Sequence, residues 1–172
     1  MERWTLQKRW IFTVSLVLHG LLLMVVYVMQ SMVFPYLKFN GLVPLLLPIV
    51  STGIAIYQGC ITGGVVGIFA GIFCDISFNE PVGVFTVFLT MTGLLVGYLA
   101  DTVIARGGAT YFIFCAIVLA AAAFVQVFPF LVLEDVPSAP LVYLAIRQTV
   151  YSLAYALPIW FFVRMPGGRT QF

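Results

Sequence analysis

Apolar residues run through the chain in six blocks, broken by charges, prolines and polar clusters: Trp10 to Met29, Leu42 to Tyr57, Cys60 to Cys74, Val82 to Ala100, Ala109 to Leu133 and Leu141 to Val163. Blocks of this length match membrane-spanning helices of about 20 residues. The pattern predicts an all-α integral membrane protein, a single six-helix transmembrane domain over residues 1–172. The second and third blocks are short, about 24 and 22 Å by helix rise against a hydrocarbon core of about 30 Å. Only Gln58 and Gly59 separate them, so they form either a tight helical hairpin or a re-entrant pair that does not fully cross. Pro44, Pro48, Pro129 and Pro158 fall within or near helix ends, where a missing backbone donor is easiest to accommodate.

Composition supports the same solvent. With 63% hydrophobic and 8% charged residues and a mean hydropathy of +1.13, the chain lies well outside the soluble range of about 45–50% apolar and about 25% charged. At 172 residues the spans leave no room for a soluble catalytic domain. A net charge of +2, with basic residues at helix ends rather than in one patch, gives no ground for nucleic-acid binding. Counting lysine and arginine across six spans puts Arg3, Lys8, Arg9, Arg106, Arg164 and Arg169 on one side and Lys38 on the other, so both termini are expected in the cytoplasm. The opposite loops carry Asp75, Glu80, Glu134 and Asp135. The first block is about 20 residues long and no small-x-small site follows it, which argues against a cleavable leader.

The third block with its flanking residues, "QGCITGGVVGIFAGIFCD" from Gln58 to Asp75, carries Gly59, Gly63, Gly67 and Gly71 at intervals of four and then Asp75. In a soluble helix each interior glycine costs about 1 kcal/mol relative to alanine. In lipid such a ridge lets a second helix approach closely. The fourth block repeats the device with Gly93, Gly97 and Asp101. These glycines are candidate interface residues, either packing the bundle or forming a seam with a separate membrane partner. Arg147 lies inside the sixth block, where a cation is expected to find a counter-charge. Asp75 and Glu80 are nearest in depth, giving a candidate structural ion pair with Asp75 preferred, against the alternative that Arg147 snorkels to the outer interface.

Catalytic constellations are not evident. Asp75 and Asp101 end consecutive antiparallel spans and so lie on opposite sides of the membrane, too far apart to share a proton. His19, one turn after Ser15, has no visible acid partner and reads as a buried helix contact. Cys60, Cys74 and Cys115 lack a Cys-x-x-Cys pattern and read as small packing residues. We expect a non-enzyme without cofactor or metal.

Several motifs together resemble the rod shape-determining MreD family over nearly the full chain. They are the basic N-terminus with "RW", a first span closing on Gln30 and Ser31, then Pro35, Gly41 and Pro44, the segment "GIFAGIFCD", "PVG" at Pro81 to Gly83, and "LLVGYLAD". Leu45 departs from the family, where the position after this proline is often acidic. The resemblance implies a bacterial inner-membrane subunit of the elongasome, binding MreC and working with MreB and the cell-wall polymerases. It also implies a fold similar to the substrate-binding subunits of energy-coupling factor transporters. That kinship supplies the alternative, a vitamin-capturing transporter subunit. Such subunits typically carry a small-x-x-x-small pair on the first helix, where this chain has Ser15 and His19, and the outer loops here are short.

Overall fold

A computed structural model describes residues 14, 17–33, 36, 43–78, 83–102, 107–133 and 138–164. Lys38, Glu80, Arg106, Glu134, Asp135 and both termini lie outside the described residues. The described residues form six helices and contain no strand. We number them α1 (Val17–Val33), α2 (Leu46–Gln58), α3 (Cys60–Phe78), α4 (Val84–Thr102), α5 (Gly108–Leu133) and α6 (Ser138–Arg164). The last five residues of α1, Met29–Val33, widen into a π-helical turn. Three helices, α3, α4 and α5, are long and apolar enough to cross a membrane. The third is therefore longer than its apolar block suggests: at 19 residues it reaches about 28 Å, close to a full bilayer core.

Helix α2 is the axis of the bundle. Its sequence, LLPIVSTGIAIYQ, has no polar face, and a helix apolar all round belongs inside. Every residue from Leu46 to Ile56 is buried, and α3, α4, α5 and α6 all pack around it. With 13 residues, about 20 Å, it is shorter than its block, because Val43 to Leu45 are not helical. Pro48 sits in the first turn, where no intrahelical donor is missed, and the hydroxyls of Ser51 and Thr52 donate to its carbonyl at 3.1 and 2.7 Å.

The remaining helices form a shell. The most extensive pairing is α3 with α4, followed by α5 with α6. Helix α1 contributes a narrow inner stripe of His19, Leu23, Val26 and Gln30, and touches α3 through stacked Tyr27 and Phe73 rings and through Ser31 and Ser77. Most of its other described positions are exposed, including Val17, Leu21, Met24, Val25 and Val28. Near the C-terminal ends of α2 and α6, the Trp160 indole N–H donates to Tyr57 Oη at 2.8 Å, with Phe112 of α5 alongside.

Candidate functional site: the α3–α4 clasp and the capped helix starts

The two glycine ridges face each other. A methyl group built on Gly71 would run into the Thr86 Cα, on Gly67 into the Leu89 carbonyl oxygen, and on Gly93 into the Gly63 carbonyl oxygen. On Gly63 it would lie 2.7 Å from both the Gly93 oxygen and the Ala55 Cβ, and on Gly97 2.6 Å from the Cys60 Cα. The register 71 to 86, 67 to 89, 63 to 93 and 60 to 97 is that of an antiparallel pair in backbone contact. Bare backbone on both sides permits this approach, and dispersion at that distance replaces the hydrophobic drive that lipid does not supply. Gly63, Gly67, Gly71, Gly93 and Gly97 thus pack the bundle, and neither ridge remains open as a seam for another protein. Gly59 differs: it joins α2 to α3 with φ +93°, a backbone setting that favours glycine.

Each ridge ends in an aspartate, and each aspartate reaches the start of the opposite helix. Asp75, 5% exposed, accepts backbone N–H bonds from Gly83 (2.9 Å), Phe85 (2.9 Å) and Thr86 (3.3 Å), and the Thr86 hydroxyl at 2.7 Å. At the other end, Asp101 Oδ2 accepts the Cys60 N–H at 3.1 Å. These donors are the orphaned amides of the first turns of α4 and α3, where the helix dipole also favours a carboxylate. Chain geometry explains the symmetry: Asp75 follows Gly71, and Asp101 follows Gly97, by one turn, so each carboxylate continues the face already touching its neighbour.

The Asp75–Arg147 ion pair, the preferred expectation, is not formed among the described residues. The acceptor sites of Asp75 are occupied by the start of α4, and no ion pair joins it to Arg147 among the described residues. Arg147 instead places its guanidinium 5.5 Å from the centroid of the Tyr143 ring, one turn back along α6. Glu80, the other candidate, lies outside the described residues.

A third capped start escaped the sequence reading. Gln30, 2% exposed, accepts the N–H groups of Leu46 (2.9 Å) and Leu47 (3.2 Å) at the beginning of α2. From α6, Ser152 Oγ accepts the Leu45 N–H at 2.9 Å, and Gln148 Nε2 donates to the Val43 carbonyl at 3.1 Å. Polar side chains of α1 and α6 therefore satisfy the backbone just where the chain enters its buried axis. The sequence separations, 16 to 107 residues, left no local signal beyond the presence of glutamines in apolar runs.

Other candidates take packing positions. His19 is fully buried on α1, Cys74 and Cys115 are buried thiols, and the Cys60 thiol donates to the Leu94 carbonyl at 3.4 Å. Among the described residues no group of three or more His, Cys, Asp or Glu is placed to hold a metal. A groove of about 240 Å³ lies between α5 and α6, lined almost wholly by apolar and small side chains such as Ala120, Ala123, Ala145 and Ile146. Comparison with known protein families, characterised proteins and solved structures gives no match.

Proposed function

We propose that the chain is a non-catalytic scaffold of the bacterial inner membrane, an MreD-type subunit of the elongasome that holds the single-span protein MreC and supports lateral cell-wall synthesis. The reading has six spans, with both termini in the cytoplasm. The observation that carries it is the role of the motif residues behind the resemblance. Gln30 caps α2, the "GIFAGIFCD" segment supplies the ridge and the cap of α4, and "LLVGYLAD" supplies the facing ridge and the cap of α3. The shared motifs are thus the joints of one bundle, which is what a resemblance of architecture requires.

Because the glycine ridges are closed against each other, MreC is left with the lipid-facing helix surfaces; the α5–α6 groove itself is lined almost wholly by apolar and small side chains. A groove so apolar offers few polar groups to orient a vitamin, which favours the scaffold over a substrate-capturing subunit. Depletion in the host tests the reading: rods should round up at normal vitamin supply. Normal rods whose growth requires an added vitamin would support the transporter subunit instead.

A further inference from the structure

Arg147 is a charged side chain of the bundle with a ring contact and no carboxylate partner among the described residues. It belongs to a ladder along one side of α6, Tyr143, Arg147, Tyr151 and Tyr155, each one turn from the next. Tyr143 is 62% exposed, and the Tyr151 and Tyr155 hydroxyls lie 3.0 Å apart. The inner positions Gln148 and Ser152 are bound to the segment before α2, so the ladder is a separate face of α6. The α6 wall of the α5–α6 groove is Val142, Ala145, Ile146, Thr149 and Val150, of which Ile146 and Val150 are on the flank towards Arg147.

Depth then selects the counter-charge. On the six-span reading, α6 has 27 residues, about 40 Å, to cross a core of about 30 Å, and with the excess shared each end would project about 5 Å. Arg147 starts nine residues after Ser138, about 14 Å along the axis, which puts its Cα about 9 Å below the hydrocarbon boundary. Its position over Tyr143 carries the charge roughly one turn, about 5 Å, back towards that boundary. The guanidinium would thus end within a few ångströms of the headgroup layer, a reach that a lipid phosphate can meet.

We propose that Arg147 and the adjoining α5–α6 groove form a binding site for an anionic phospholipid, its phosphate on the guanidinium over Tyr143 and an acyl chain along the groove beside Ile146 and Val150. Arginine suits this task because its planar donors take two phosphate oxygens at once. The proposal rests on α6 spanning the membrane and is independent of which protein the scaffold holds.

Native mass spectrometry of the detergent-purified protein, titrated with dioleoylphosphatidylglycerol or dioleoylphosphatidylcholine, tests it. The parent should retain one phosphatidylglycerol in preference to phosphatidylcholine. Arg147→Gln should lower that affinity about tenfold, the scale of one charge-assisted contact, with Arg147→Lys, which keeps the charge but loses the planar fork, falling between the two. Val150→Trp, which obstructs the groove and leaves the charge, should weaken retention of the same lipid. Equal retention by parent, Arg147→Gln and Val150→Trp overturns the site. So does recovery of an acidic protein helix at Arg147 in its place. Failure of the protein to sediment with carbonate-washed membranes would instead reject the membrane reading itself.

Discussion

Removing the Asp75 carboxylate should loosen the whole α3–α4 clasp. Asp75→Ala leaves the amides of Gly83, Phe85 and Thr86 and the Thr86 hydroxyl without their acceptor at a site almost closed to solvent. Side-chain hydrogen bonds within membranes average about 0.6 kcal/mol, so four of them sum to about 2.4 kcal/mol. The lost interaction with the dipole of α4 adds about 0.3–1 kcal/mol, which places the total near 3 kcal/mol. Asp75→Asn keeps one carbonyl acceptor and should lose roughly half of that. Arg147→Ala, which breaks no ion pair to Asp75, should cost no more than about 0.5 kcal/mol, the range of surface changes. The assay is equilibrium unfolding in mixed micelles titrated with dodecyl sulfate, followed by circular dichroism. If Asp75→Ala and Arg147→Ala destabilise equally, and a charge swap between the two positions restores stability, the cap assignment is wrong and the ion pair stands.

Gly67→Ala should lower accumulation of folded protein sharply, because its methyl group meets the Leu89 backbone, whereas Gly20→Ala, with nothing within 4 Å, should be neutral or stabilising by up to about 1 kcal/mol; a protease-resistance assay on membranes compares the two. Gln30→Leu should cost about 1–2 kcal/mol in the same unfolding titration, since it strips the acceptor from the first amides of α2 while preserving bulk. Single cysteines placed at 38 and 106 on a cysteine-free background should label from the periplasm and the cytoplasm respectively; the reverse pattern would invert the proposed topology.

The six apolar blocks of the sequence anticipate the six helices of the described residues, three of which are long and apolar enough to cross a membrane. Their arrangement is less legible. Helix α2 reads like any other span, since an apolar surface gives no signal to distinguish burial in protein from burial in lipid. The glycine ridges announce close packing but not its direction, and only the facing register of Gly63 with Gly93 shows that each ridge is the other's partner. Asp75 was expected to neutralise Arg147 because a cation inside a span needs a counter-charge, but a buried carboxylate has its own need for positive charge and donors. The start of α4, with its partial positive charge and free amides, meets the need instead, and it lies only eight residues further along. Gln30, Gln148 and Ser152 were not foreseen because their contacts depend on how α1 and α6 flank the entry to α2.

Affinity purification from the host membrane in mild detergent, with quantitative mass spectrometry of what is retained, tests the scaffold reading most directly. Packing on an apolar face is little screened by salt, so MreC should remain at stoichiometric levels through a moderate-salt wash. Recovery of a pair of ATPases and a transducer, with MreC absent, would contradict the account.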